Sequence, residues 1–291
     1  MAYELIFVSV AIVGSLAGLV TDLKARWVPD WTNHFMIFFG LAGHAIISLK
    51  ESSIWPFALS LGVAGIFYGI SLIMFYSGSW GGGDAKLLIG YGALLPTFTP
   101  IAANYQAAFW PFPATLWLNI ILFGAAFGLA SIIYLIAKNR ERFYKNLKDK
   151  LNENKKIIYA VTAAVVVVSL AGIFVNNSLI VAALTTYLFM FLFLAMKSVE
   201  NVAMIKEISA KRLVEGDWLA TEIKVGGMHI KASKTGLDLE TIEKLRKLEA
   251  DGKISGVKVK EGLPYVPAMF AGLLASLFYG DLMFQLISKL V

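Results

Sequence analysis

Eight apolar segments follow one another along the chain, and most are about as long as a helix that crosses a lipid bilayer. Such a helix needs roughly 20 predominantly apolar residues. Hydrophobic residues make up 58% of the sequence and charged residues only 16%, which is unlike a soluble domain. We therefore predict an all-α polytopic membrane bundle. The segments are residues 3–20, 34–49, 54–76, 86–104, 114–137, 157–175, 179–196 and 264–288.

Basic residues are concentrated in one of the two alternating sets of loops. Cytoplasmic loops carry an excess of Lys and Arg, so this set is predicted to be cytoplasmic, with both chain termini outside the cell membrane. The opposite side keeps Lys50 and Lys289. This bias accounts for the net charge of +6 without a nucleic-acid partner. The cytoplasmic set comprises Lys24, Arg26, Lys86 and the basic residues of 138–156 and 197–263.

The same pattern divides the chain into five parts. The first holds helices 1 to 5, and the second is a basic cytoplasmic loop that could contact anionic membrane lipid. Two more helices, a small cytoplasmic α/β subdomain and the last helix follow. These parts are residues 1–137, 138–156, 157–196, 197–263 and 264–291.

Within the subdomain, the pattern predicts two helices, a hairpin and a further strand. The hairpin turn is expected at Gly226 and Gly227, and Asp238 is expected to cap the second helix. The subdomain helices are 198–213 and 239–250, and the strand is 256–260.

Outside the subdomain, the uncharged segment 96–113, rich in aromatic residues, is predicted to be a short external loop at the membrane interface.

Few ionisable residues lie within or beside the apolar segments, so those few are candidates for function. Asp22, Asp84, Lys86 and Asp281 form this group. The sequence has no cysteine and three scattered histidines, so we expect no thiol nucleophile, no metal site and no cofactor. Two carboxylates that share one proton can activate water for peptide hydrolysis. Asp22 and Asp84, both on the predicted cytoplasmic side, are the candidate pair.

Simpler interpretations exist for each of these residues. Asp22 alone could be a solvated loop carboxylate, Asp84 a helix N-cap, and Lys86 an anchor at the membrane interface. Gly81, Gly82 and Gly83 precede Asp84 and would let the chain turn sharply and a substrate backbone approach. A phosphate-binding loop is disfavoured because Lys86 is not followed by Ser or Thr.

Three motifs resemble the archaeal type IV prepilin and preflagellin peptidases, which are GxGD-type intramembrane aspartyl proteases. Residues 81–86 (GGGDAK) match the GxGD-x-K signature, and residues 22–30 (DLKARWVPD) resemble the first-aspartate motif. Residues 260–267 (KEGLPYVP) are similar to a KEGIPFVP stretch that precedes a late membrane helix. The resemblance implies that Asp22 and Asp84 remove the short basic leader of pilin-like or archaellin-like precursors. Gly81, Gly82, Gly83 and Lys86 are the candidate substrate-binding or site-shaping residues.

This sequence departs from parts of the family pattern. The cysteine-rich, zinc-binding region of bifunctional bacterial members is missing, so the resemblance is to the peptidase-only branch. Asp30 stands where the family has Asn, and we expect only a helix-start role for it. Trp27 and Trp80 are expected in the interfacial aromatic belt, with a position lining the substrate groove as the alternative.

Two other functions compete with this interpretation. A cation- or proton-coupled transporter could use Asp22 and Asp84 as relay carboxylates, with the glycines in a broken helix. A signal-peptide-peptidase or presenilin-like enzyme would share GxGD, but its Tyr-Asp and Pro-Ala-Leu motifs are not found in the expected arrangement.

Overall fold

The computed structural model describes residues 2–97, 110–225, 228–232 and 236–290. Within these ranges, six helices are long and apolar enough to cross a membrane, which confirms the polytopic helical fold class. A seventh candidate is a pair of shorter helices, α10 (Val266–Phe278) and α11 (Leu282–Leu290), bent by 71° at a short break. The six are α1 (Ala2–Ala25), α2 (Asp30–Lys50), α3 (Trp55–Tyr76), α5 (Phe112–Lys138), α7 (Lys155–Phe174) and α8 (Asn177–Val199).

The predicted fourth segment is represented by a short central helix, α4 (Gly82–Leu94), of 13 residues. Its length of about 20 Å is less than the hydrocarbon thickness. Residues 98–109, which complete this segment and form most of the predicted external loop, lie outside the described ranges. Close packing explains why α4 is rich in glycine. A Cβ on Gly92 would lie 3.0 Å from the backbone of Ala64 in α3.

Most of the basic segment 138–156 is helical and forms α6 (Arg140–Glu153). Most of its side chains are exposed, whereas Phe143 is buried and ties the helix to the bundle. Amphipathic packing of this kind is typical of a helix that lies on a protein or membrane surface.

The subdomain has a sheet where one helix was expected. After α8, a π-helical turn (Glu200–Met204) leads into strand β1, so the prediction of a helix over 198–213 is wrong. The physical reason is cross-strand pairing, because β1 lies antiparallel to β5 with Ile205 opposite Lys260. The strands are β1 (Ile205–Ile208), β2 (Trp218–Leu219), β3 (Ile223–Val225), β4 (Met228–Ile230) and β5 (Val257–Lys260), with a 3₁₀ turn at Ala210–Arg212.

The other subdomain predictions are confirmed where the structure describes them. Strand β5 is central in the order β1-β5-β2, and α9 (Leu239–Ala250) packs its apolar face against this sheet. The Asp238 carboxylate caps α9 by accepting a hydrogen bond from the Thr241 amide at 2.8 Å. Strands β3 and β4 pair as a hairpin, and its two turn glycines lie outside the described residues.

Candidate active site

Asp22 lies in the last turn of α1 and is only 6% exposed. Its carboxylate Oδ2 accepts a hydrogen bond from the Val266 amide of α10 at 3.1 Å, and the Tyr265 amide faces the same carboxylate. The predicted first segment ended at residue 20, but α1 continues through Ala25. Asp22 is therefore a buried side chain held by a distant helix, which contradicts the interpretation as a solvated loop carboxylate.

Asp84 lies in the first turn of α4 and directly follows the three glycines in the sequence. Its Oδ2 accepts a hydrogen bond from the Gly81 amide at 3.1 Å, so the side chain does cap this helix, from the third helical position. Asp84 lies deep in the bundle, although part of its surface remains accessible. A capping role and a chemical role are compatible, because only one carboxylate oxygen is occupied by the cap.

The two carboxylates meet in one site. Asp22 and Asp84 are close enough for their charges to interact directly, although 62 residues separate them in sequence. Like charges at short range inside a protein cannot both ionise cheaply, so such a pair shares a proton. The arrangement can therefore hold one carboxylate and one carboxyl group near each other.

Three contacts join the first-aspartate motif and the start of α2 to the glycine motif. A Cβ on Gly83 would lie 2.8 Å from the Val28 Cβ, so only glycine allows this approach. The Asn33 side-chain amide donates to the Gly83 carbonyl at 3.2 Å. On the exposed side, Lys86 Nζ lies 2.6 Å from Asp30 Oδ1.

Two of these contacting residues were missed or undervalued in the sequence. Asn33 is 0% exposed, and its only sequence signal is an amide side chain at the start of an apolar helix. Asp30 does begin α2, as expected, but it also pairs with Lys86. Because Lys86 is paired with Asp30, it is held by a partner rather than free at the membrane interface.

Trp80, immediately before the glycines, is packed inside the bundle. Its ring lies 5.7 Å from Trp117 and 5.1 Å from Tyr265, measured between centroids, and only 5% of the residue is exposed. The prediction of an interfacial position is therefore wrong for Trp80, because three aromatic rings from separate elements bury one another. Trp27, by contrast, is 56% exposed.

Asp281 is remote from the pair. It lies at the break between α10 and α11, 15 residues after Val266, or about 22 Å along a helix. Its Oδ1 accepts a hydrogen bond from the Phe284 amide at 2.9 Å, which caps α11. Among the described residues, no three His, Cys, Asp or Glu side chains are grouped so that they could hold a metal ion.

These features define the class of the protein: a multi-pass helical membrane protein with two carboxylates paired between the end of α1 and the start of α4. Residues 9–136, which contain both aspartates, match the model of the type IV leader peptidase family. The resemblance to archaeal prepilin and preflagellin peptidases is thus confirmed.

Relatives from archaea agree with this result. Prepilin peptidase EppA of Methanothermobacter thermautotrophicus is 24% identical over 372 aligned positions, which cover 97% of this chain and 96% of the relative. Preflagellin peptidase of Methanocaldococcus jannaschii is 31% identical over 133 residues, 43% of this chain and 55% of the relative. Preflagellin peptidase of Methanococcus voltae is 25% identical over 148 residues, 50% of this chain and 60% of the relative.

Proposed function

We propose that this protein is a membrane-embedded aspartic endopeptidase that removes the leader peptide of pilin-like or archaellin-like precursors. The observation that carries the proposal is that buried Asp22 and half-buried Asp84 lie close enough for their charges to interact. The match of residues 9–136 to a leader peptidase family supports the reaction class. The names of the relatives support the substrate class.

The chemistry needs only water and the carboxylate pair. The ionised carboxylate takes a proton from water as the water oxygen bonds to the scissile carbonyl carbon, and the protonated carboxyl gives its proton to the carbonyl oxygen. In the second step the carbon–nitrogen bond breaks. The proton taken from water passes to the leaving nitrogen, and a hydroxyl proton returns to the other carboxylate. Both groups end in their starting states.

The glycines suit a substrate that approaches as an extended backbone. Gly81 and Gly82 have little around them, since a Cβ on Gly81 would first meet Asp84 Oδ2 at 3.5 Å and one on Gly82 would first meet Phe75 at 3.8 Å. A precursor chain could therefore pass close to the main chain beside Asp84. Gly83 has a different role, because it is packed against Val28.

The site is proposed to face the cytoplasm, with both termini of the chain outside. Supporting this orientation, the ends of α1 and α5, helix α6 and the subdomain carry nearly all the basic residues. A short basic leader ahead of a hydrophobic helix would reach Asp22 and Asp84 from this side while the helix stays in the lipid. We propose membrane lipid and the precursor as the partners.

Cleavage of an archaellin or pilin precursor in membranes tests the proposal. Wild type should shorten the precursor by the mass of its leader, read as a gel shift and confirmed by intact mass. Asp22→Asn and Asp84→Asn should each abolish the shift. Asp281→Asn is a matched control, because it changes a buried aspartate remote from the pair and asparagine also caps helices well. Cleavage by either of the first two variants contradicts the assignment.

The orientation can be tested by thiol labelling, since the natural sequence contains no cysteine. Lys148→Cys on α6 should react with a membrane-impermeant reagent only after the membrane is opened. Glu51→Cys lies just after the end of α2 that points away from the candidate site, and it should react in intact cells. The reverse pattern would place the site on the outside.

A further inference from the structure

The third motif, residues 260–267, leads from the subdomain to the start of α10 and has no part in the reaction described so far. Val266 is the first residue of α10, and its amide donates to the Asp22 carboxylate in a buried hydrogen bond of 3.1 Å. The preceding amide, of Tyr265, faces the same group. The free N–H groups at a helix start favour a negative charge. The motif thus brings an anion-stabilising helix end to one of the two carboxylates.

Packing around Tyr265 holds this helix end in place. The Tyr265 ring contacts Trp80, which directly precedes the glycine motif, and its hydroxyl donates to the Ile120 carbonyl at 3.4 Å. A Cβ on Gly124 would collide with that hydroxyl group. The start of α10 is therefore fixed against both α5 and the segment that leads into α4 and Asp84.

The subdomain is joined to the same point by a short connection. Strand β5 ends at Lys260, and only five residues separate it from Val266. The Glu261 amide also donates to the Met204 carbonyl at 2.8 Å, which anchors the connection to the π-helical turn that follows α8. The position of Asp22 thus depends on how this segment is held.

The two carboxylates differ in the partners that favour a negative charge. Asp22 has the helix end of α10 and the positive charge of Arg26 nearby. Asp84 has one main-chain donor, the Gly81 amide. Hydrogen bonds and opposite charges around a carboxylate favour its ionised form. When one proton is shared by the pair, it should therefore reside on Asp84.

We propose that the start of α10 is a positioning element of the active site, which holds Asp22 as the ionised base and leaves Asp84 as the proton donor. In the reaction proposed above, the water proton then passes to Asp22, and the carbonyl oxygen receives its proton from Asp84. Val266 and Tyr265 act through Asp22 and do not touch the substrate. This inference rests on the proposed function for its catalytic meaning.

Infrared spectroscopy of the whole protein in lipid or detergent tests the assignment directly, because a protonated carboxyl group has a C=O stretch that a carboxylate lacks. Difference spectra are recorded against wild type in buffers of increasing pH, starting from mildly acidic. Asp84→Asn should remove a protonated-carboxyl band at every pH tested, whereas Asp22→Asn should keep this band and lose it at a lower pH than wild type, because the neighbouring negative charge is gone. A band that persists in Asp84→Asn, or one that Asp22→Asn removes at every pH tested, overturns the proposal.

A second test removes the main-chain donor itself. Val266→Pro lacks the N–H group at the first helical position. Proline also disfavours the αR backbone that Tyr265 has before it, so the pH profile and not the rate is compared with wild type. The acidic limb of its kcat–pH profile should move up by about one pH unit, the size expected for one lost hydrogen bond to a charged group. Val266→Ala keeps the N–H group and should keep the wild-type profile at whatever rate it shows. An unshifted profile for Val266→Pro overturns the proposal.

The proposed function and the role of the α10 start can be refuted separately. If wild type cleaves no precursor, the proposed function fails, yet the infrared spectra still decide which carboxyl holds the proton. If cleavage depends on both aspartates but the proton lies on Asp22, only the role of the α10 start is refuted.

Discussion

At Gly83, a single added methyl group should push Asp84 and the glycine motif away from Val28 and the first-aspartate motif. An added Cβ would lie 2.8 Å from the Val28 Cβ and 3.3 Å from the Val28 main-chain nitrogen. Carbon atoms in contact prefer about 3.5–4.0 Å, so the chain at Gly83 or at Val28 must withdraw by about 1 Å. Neither neighbouring atom is the end of a flexible side chain, and rotation of a side chain therefore cannot relieve the contact.

The expected cost of Gly83→Ala follows from that displacement. Overpacking of this kind typically destabilises a protein by about 1–3 kcal/mol, which should leave the chain folded and inserted. Asp84 directly follows the displaced residue, and a shift of about 1 Å in a catalytic group can lower the rate roughly 100-fold. We therefore expect a large loss of kcat with a small loss of stability.

The assay is the rate of leader removal in membranes, compared at equal amounts of inserted protein. Gly65→Ala on α3 is the matched control, because nothing lies within 4 Å of its added Cβ and it should lose far less activity. Val28→Gly in the Gly83→Ala background removes the colliding atom and should restore part of the rate. Equal activity of the two alanine variants, or no recovery in the double variant, refutes the reasoning.

Three further predictions concern the surroundings of the site and the subdomain. Asn33→Leu should lower the free energy of unfolding by about 1 kcal/mol, since it removes the hydrogen bond from the Asn33 side chain to the part-buried Gly83 carbonyl, and leader removal should slow; thermal unfolding and the cleavage assay measure both. Lys86→Gln and Asp30→Asn should show a coupling energy below about 1 kcal/mol in a double-mutant cycle of unfolding, because these side chains are 37% and 62% exposed. Burial raises the pKa of Asp217, so the folded state binds this proton more tightly and subdomain stability should fall as pH rises above the ordinary aspartate range. Asp217→Asn should remove that fall in hydrogen exchange of residues 205–260 measured in the whole protein.

Each of these predictions has a result that would contradict it. Wild-type stability of Asn33→Leu would mean that the Gly83 carbonyl is satisfied by another donor. A coupling energy of several kcal/mol between Lys86 and Asp30 would mean that the ion pair is shielded, for example by lipid. Identical pH dependence in Asp217→Asn and wild type would show that Asp217 does not govern the stability of the subdomain.

The membrane fold and the two aspartates could be predicted because their signals are local. Twenty apolar residues in a row are costly to leave in water, so the long helices follow from composition alone. Asp22 and Asp84 stand out because ionisable residues beside such segments are rare. Helix α9 carried both an amphipathic period and the Asp238 cap, and the structure has both.

The remaining features depend on contacts between distant parts of the chain. The Val266 amide and Asp22 are 244 residues apart, and neither residue type indicates the other. Ile205–Ile208 could continue a helix by its own preference, but strand β5 provides a partner that makes it a strand. Tryptophan is a typical residue of the membrane interface, and only the approach of Trp117 and Tyr265 buries Trp80.

The central claim is that Asp22 and Asp84 act as one unit in leader removal, and the rates of Asp22→Asn, Asp84→Asn and the double variant test it most directly. When two residues act as a unit, removing one of them abolishes nearly all enzyme activity, and removing the second lowers it little further. All three variants should fall to the same background rate, with wild-type levels of inserted protein. Substantial cleavage by either single variant, or a further large loss in the double variant, would contradict the account.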